Sequence, residues 1–338
     1  MFRQLSSVRS SAILLLACAG CGAERRAQPI QAPVVAVAAV PKAEQEANTS
    51  VAESACRRDV TRALELAHHG DQTVKINVEG AISDYTSAAQ LHPTDHRILW
   101  KLAWAYEKTE QWSQLAATMT RATELAPHFG NYWFKLGFAW IMVAEAGDKD
   151  AFERAKLPLE KCIERDPNIA ECHYLLGQAH QWTDDEEAAL AAYSAAIQHD
   201  PRQGYFYPPL AELYLALGLP QQAEAVLKEG TRLVESSGKH RNNLYAMYVL
   251  QAQLAQRKGD LSAQLNALEN AQNYADDLHP EFAFNLGATY AVMDPPKKEQ
   301  AIRLLNQFTK RVCRGGAAMK YQEQCEIAAS LMQRLGVP

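Results

Sequence analysis

The sequence predicts an all-α protein built from short helices that pack in pairs. Its clearest stretch, residues 170–201, holds two segments of helical periodicity followed by Pro201, which cannot continue a helix. Leu176-Gly177 lies in the first segment and Tyr193 in the second. The glycine allows the two helices to cross closely, and the tyrosine fills the space beside the crossing. Two helices of this length cannot bury their apolar faces alone, so the pair needs neighbours on both sides.

The same pattern recurs along the chain: a Leu-Gly or Leu-Ala step, then alanines, and often a proline. Copies lie at residues 54–93, 99–127, 133–167, 170–201, 210–227, 248–271 and 286–305, with a short insert at 147–150. One match would be weak, whereas about seven in phase indicate a helical repeat array.

These residues resemble the tetratricopeptide-repeat family over roughly residues 56–310. The resemblance implies a right-handed superhelical solenoid of about seven helix pairs at residues 56–312, with a capping helix at 313–338. It also implies a concave groove that binds partners and is lined by outward positions of each first helix. Mapping those positions gives Arg97, Trp100, Trp104, Lys108, Phe134, Phe138, Ile141, Tyr174, Gln178 and Phe284.

Two interpretations of these groove positions compete. The slot of Trp100, Phe134, Tyr174 and Phe284 is commonly aromatic in the family, where it packs one repeat on the next. Trp104 and Phe138 occupy a slot that is usually polar. Large aromatics there predict an apolar trough for a peptide or an amphipathic helix.

The N-terminus is typical of a secretory signal at residues 1–18. These residues include the basic Arg3 and Arg9 and no acidic residue. The apolar run 12–17 is far shorter than the roughly 20 residues that span a bilayer. The run 15–18, Leu-Leu-Ala-Cys, resembles a bacterial lipobox, which implies lipidation of Cys18, with Cys21 as the alternative. An ordinary cleaved signal is the other interpretation. Ala19 after Cys18 implies sorting to the outer membrane, facing the periplasm.

Residues 19–55 are expected to form a disordered tether. Pro29, Pro33 and Pro41 interrupt a run that is rich in Ala, Val, Gln and Glu and has no helical period. A helical interpretation of residues 42–54 is the alternative.

Seven cysteines suit an oxidising compartment. Cys162 and Cys172 surround the turn at Pro167, and Cys313 and Cys325 surround a Gly-Gly step, so each pair is a disulfide candidate. Buried thiols that pack as small apolar groups are the alternative. The net charge is −5, and the Lys and Arg residues are scattered. The sequence therefore lacks the basic stripe that nucleic-acid binding needs.

No nucleophile stands beside a recognisable base, no phosphate-binding glycine loop is present, and we expect neither a cofactor nor a metal. Cys162, Cys172, His173 and His180 could hold zinc, which gives the alternative of a metal-binding or enzymatic protein. His173 and His180 occupy the slots of Trp133 and Trp140 in the preceding repeat, which favours packing. A second alternative is a small-ligand or lipid carrier that uses the apolar trough predicted from Trp104 and Phe138.

The sequence thus predicts a non-enzymatic, lipid-anchored envelope protein of a Gram-negative bacterium. It would act as a scaffold or assembly adaptor, with a membrane anchor at its N-terminus and envelope proteins held through peptide or helix segments.

Overall fold

The computed structural model describes residues 42–236, 241–274, 280–314 and 318–337, and these residues form helices and turns without a strand. The helices are α1 Lys42–Thr73, α2 Val78–Leu91, α3 His96–Lys108, α4 Trp112–Leu125, α5 Gly130–Glu145, α6 Ala151–Arg165, α7 Ala170–Trp182, α8 Glu186–His199, α9 Tyr207–Ala216, α10 Pro220–Glu235, α11 Arg241–Lys258, α12 Leu261–Gln272, α13 Pro280–Val292, α14 Lys298–Val312 and α15 Gln322–Arg334. A 3₁₀ turn, Gly204–Phe206, precedes α9.

The chain divides into two units, residues 1–98 and 99–338. In the first unit α1 packs on α2. Gly70 of α1 faces Tyr85, whose ring would lie only 2.7 Å from a β-carbon at that position. The Tyr85 hydroxyl donates a hydrogen bond to Asp71 at 2.9 Å, which ties the end of α1 to the middle of α2.

The second unit is a succession of antiparallel helix pairs. Contacts join α5 to α6, α7 to α8, α9 to α10, α11 to α12, and α13 to α14. A tight turn joins α3 to α4, where the Gln111 N–H donates to the Tyr106 carbonyl at 2.9 Å. Together with α1 and α2, the described residues therefore form seven helix pairs followed by α15, as the repeats predict.

Glycine sits where the paired helices cross. A β-carbon on Gly177 would lie 2.6 Å from the ring of Tyr193, and one on Gly137 would lie 2.5 Å from Leu159. Tyr193 and Leu159 are fully buried. The close crossing inferred from the Leu-Gly step is therefore present in two consecutive repeats.

Two disulfides join consecutive helices across repeat boundaries. Cys162 at the end of α6 pairs with Cys172 at the start of α7, with their Cα atoms 6.3 Å apart. Cys313, just after α14, pairs with Cys325 of α15, with their Cα atoms 5.8 Å apart. In this structure the four thiols are bonded in the predicted pairs rather than packed as separate thiols.

The long first helix corrects the predicted tether. Because α1 begins at Lys42, residues 42–55 belong to a helix, and the tether can extend only to about residue 41. This segment is rich in Ala and Glu, which are strong helix formers. The signal, the lipobox and the rest of the tether lie outside the described residues. None of the helices described is both long enough and apolar enough to cross a bilayer.

The crossing at Gly177 generates a stability prediction. Replacing glycine by alanine inside a helix stabilises the folded state by about 1 kcal/mol. Overpacking a close contact destabilises the folded state by about 1–3 kcal/mol. Because the new methyl would meet a buried ring, Gly177→Ala should lower the free energy of unfolding by about 1 kcal/mol in urea denaturation. Tyr193→Leu in the same chain should remove that loss, as a positive coupling in a double-mutant cycle. A Gly177→Ala variant as stable as the wild type would contradict the close crossing.

Candidate partner-binding groove

Two neighbouring first helices, α3 and α5, form the candidate groove. Trp100 of α3 stacks on Tyr132 of α5, with ring centroids 5.1 Å apart and planes at 16°. One helical turn further along, the Lys135 ammonium of α5 lies 2.9 Å from the Glu107 carboxylate of α3. These contacts bring the predicted aromatics of both helices to one surface. We call it the aromatic trough, and it comprises Trp100, Trp104, Glu107, Lys108, Phe134, Lys135 and Phe138.

Trp104 is the most accessible aromatic side chain of the trough. It is 39% exposed, whereas Trp100, Phe134 and Phe138 are half-buried. Phe138 packs edge-on against Trp112 at 5.9 Å and lies 6.3 Å from Phe134. Phe138 therefore belongs partly to the packing between repeats, and Trp104 is the better candidate for a binding anchor.

Lys135 lies in the middle of the trough and was not predicted. Its ammonium is 5.5–6.0 Å from the ring centroids of Trp100, Phe134 and Phe138, within the range of cation–π attraction. Its side chain is only 14% exposed. The available signal was that Lys135 is the only basic residue of α5, a helix otherwise dominated by apolar side chains.

A second lysine lies at the outer end of the trough. The Lys108 ammonium is 5.1 Å from the centroid of the Trp104 ring. Glu107 supplies the carboxylate that pairs with Lys135, so the trough carries two ammonium groups and one carboxylate. Its chemistry therefore suits an apolar side chain that is accompanied by an acidic group.

Other predicted groove residues are engaged elsewhere. Ile141 is 1% exposed and belongs to the core between α5, α6 and α7. Its predicted place in the groove is wrong, because neighbouring helices cover the end of α5. Arg97, in the first unit, donates to Asp95 at 2.9 and 2.7 Å. Its guanidinium holds the pKa of the buried Asp95 carboxyl below its usual range.

Two later predicted groove aromatics, Tyr174 and Phe284, pack against other rings. Tyr174 lies 5.1 Å from Tyr205 and 5.3 Å from Phe206, and burial raises the pKa of its hydroxyl. Phe284 lies 5.2 Å from Phe308 of α14. Gln178 of α7 is half-buried. Tyr174 therefore fits the interpretation of packing between repeats, whereas Phe284 packs within its own helix pair.

The insert at 147–150 folds onto the following repeat. The Lys149 ammonium is 4.2 Å from the centroid of Trp182, and the same tryptophan stacks on Phe152 at 5.1 Å. Arg154 pairs with Asp148 and covers the ring of Trp140 at 4.4 Å. This loop is thus a small surface of its own, with the exposed Trp182 at its centre.

The proposed zinc ligands are not assembled into a site. Cys162 and Cys172 are bonded to each other. His173 lies 3.1 Å from the Pro167 carbonyl and stacks on His199, while His180 lies 3.2 Å from Asp185. Across the described part of the chain, no three His, Cys, Asp or Glu side chains are grouped to hold a metal ion.

Several solved structures are similar to this chain. The C-terminal part of a TPR repeat-containing protein from Cytophaga hutchinsonii is similar over 75% of this chain and 98% of its own, with 12% identity and a TM-score of 0.56. MamA from Desulfovibrio magneticus RS-1 is similar over 53% of this chain and 98% of its own, with 16% identity and a TM-score of 0.47. YrrB, described as a TPR protein with an unusual peptide-binding site, is similar over 62% and 99%, with 18% identity and a TM-score of 0.44.

At this identity, the likeness to the Cytophaga protein shows the fold alone. The chain therefore has the tetratricopeptide-repeat fold that its repeats predict, an all-α stack of helix pairs. No family model matches the sequence, and no curated protein matches it.

Lys135 provides a test of how the trough is held together. Lys135→Met keeps the aliphatic stem but removes the ammonium from three rings and leaves Glu107 without this partner. We expect the free energy of unfolding to fall by about 1–2 kcal/mol. Lys108→Met is the matched control, because its ammonium is exposed, and it should change stability by less than about 0.5 kcal/mol. Equal effects of the two variants in chemical denaturation would show that Lys135 is not a structural part of the trough.

Proposed function

We propose that this chain is a lipid-anchored adaptor of the bacterial envelope that binds a short segment of a partner protein in the aromatic trough. The observation that carries the proposal is the exposed Trp104 ring beside the Lys108 ammonium, on a surface floored by Trp100, Phe134 and Phe138. A large aromatic anchor on a preformed surface is the kind of side chain that dominates binding energy at interfaces.

The chemistry of the trough defines the class of segment. Its apolar rings suit a Leu, Ile, Met or Phe side chain, and its excess of ammonium groups suits an aspartate or glutamate nearby. An amphipathic helix presents such a pair at i and i+3 or i+4. The trough is therefore suited to an amphipathic segment with an acidic residue one turn from its apolar anchor.

The envelope location rests on the sequence of the N-terminus. Residues 1–18 have the order of a signal with a lipobox, and a Cys18 anchor would hold the helix pairs near a membrane through residues 19–41. Two disulfides within the described residues suit an oxidising compartment such as the periplasm. The adaptor role needs no chemistry from the chain itself.

Panning a library of helical peptides against the full chain tests the binding proposal. The enriched peptides should share an apolar residue with Asp or Glu three or four positions away. Trp104→Ala should weaken their binding by at least about tenfold, since truncating an interface anchor costs about 2 kcal/mol or more. The helical melt should stay nearly unchanged because Trp104 is partly exposed.

Trp182→Ala is the matched control for the peptide experiment. It removes an exposed tryptophan from the surface of the 147–150 insert and should leave binding intact. If Trp182→Ala abolishes binding while Trp104→Ala does not, the insert is the binding surface and the trough is not.

Metabolic labelling with a radioactive fatty acid tests the anchor. The wild-type chain should incorporate label, Cys18→Ser should not, and Cys21→Ser should label normally. Label that is lost only in Cys21→Ser would move the anchor to the alternative cysteine. A wild-type chain that incorporates no label would contradict lipid anchoring while leaving the trough untouched.

A further inference from the structure

We propose that a cavity lined by α11, α12, α13 and α15 binds a neutral, largely apolar small molecule. The cavity has a volume of about 390 Å³, within the range of roughly 300–1,000 Å³ that is common for small-molecule sites. It is separate from the aromatic trough of α3 and α5, and the proposal does not depend on peptide binding.

Each of the four helices contributes apolar side chains to the wall. They include Val249 of α11, Leu268 of α12, Phe284 and Ala288 of α13, and Leu331 of α15. Two further apolar side chains at the cavity remain open to solvent: Val292 is 50% exposed and Ile327 is 41% exposed. Exposed branched side chains around a concave surface indicate a site that gains free energy when an apolar body covers them.

The polar groups of the cavity are all uncharged. Its lining includes amide and hydroxyl side chains, namely Gln253, Gln256, Gln264, Asn285 and Thr289, and no Lys, Arg, His, Asp or Glu. A charged ligand would lose its hydration there without gaining an ionic partner, and this excludes strongly charged molecules as good ligands.

Some of these polar groups are already satisfied and others remain available. The Gln264 amide donates to the Thr289 hydroxyl at 3.1 Å, and that hydroxyl donates to the main-chain carbonyl of Asn285 at 2.7 Å. Within the described part of the chain, the side-chain amides of Gln253 and Gln256 make no such bond. They can donate to and accept from one carbonyl, hydroxyl or amide group of a ligand.

The wall supplied by α15 is fixed in place by covalent and apolar contacts. The Cys313–Cys325 disulfide ties α15 to the end of α14, and Ala328 and Leu331 are buried in the same core as Phe308. The capping helix therefore both closes the apolar core and supplies one side of the cavity. Its preformed wall reduces the ordering cost of binding.

A pair of fluorescent probes tests both the site and its charge preference. N-phenyl-1-naphthylamine is neutral, apolar and carries one N–H group, whereas 8-anilinonaphthalene-1-sulfonate adds a negative charge to a similar body. When the neutral probe is titrated into the full oxidised chain, its fluorescence should rise to saturation with one site per chain. The sulfonate should bind at least about tenfold more weakly.

Variants locate the bound probe. Ala288→Trp should fill the cavity, and Ile327→Glu should place a charge at its apolar wall. Each variant should therefore bind the neutral probe at least about tenfold more weakly. Ala329→Trp is the matched control, because it adds the same indole to an exposed position of α15 and should bind like the wild type. Circular dichroism establishes that each variant keeps its helices.

Four results would overturn the proposal. The first three are absence of saturable binding by the wild type, equal binding of the sulfonate, and wild-type affinity in folded Ala288→Trp and Ile327→Glu. The fourth is an equal loss of probe affinity in Ala329→Trp, because the probe would then report the surface of α15 rather than the cavity.

Discussion

The close crossing of paired helices, seen at Gly137 and Gly177, is the constraint on which the rest of the structure depends. At Gly137 and Gly177 the partner helix leaves no space for even a β-carbon, and the adjacent gap is filled by a fully buried Leu159 or Tyr193. Each pair is therefore thin, and its neighbours can pack against both of its sides. Some first helices of consecutive pairs consequently touch: α5 touches α7, and α9 touches α11.

This contact between first helices explains how the trough arises from residues far apart in the sequence. Trp100 meets Tyr132, and Glu107 meets Lys135, because α3 and α5 lie side by side. An ammonium held above aromatic rings by a carboxylate is fixed before any partner arrives, so less side-chain entropy is lost on binding. Trp104 and Lys108, one turn further out, are then the groups that an incoming segment would meet first.

The periodic features of the fold could be predicted from sequence because packing repeats them. The Leu-Gly step, the alanines and the terminal proline fixed the number and order of the helix pairs, and the short spacing of the cysteines limited their pairing. Ile141 was misplaced because the repeat pattern gives a residue's direction but not what a neighbouring helix covers. Residues 42–55 were misjudged because helix-forming composition can extend a helix beyond the repeat pattern.

The parts of the sites that could not be predicted depend on long-range contacts. Lys135 belongs to the trough because three rings and a carboxylate from two helices surround its ammonium. The cavity needs side chains from four helices, α11, α12, α13 and α15. Photo-crosslinking in living cells tests the central claim of a partner held in the trough most directly. A benzoylphenylalanine at position 104 of the full chain should give one discrete protein adduct, and the same residue at position 182 should give none. Adducts of equal pattern at both positions, or none at position 104, would contradict the account.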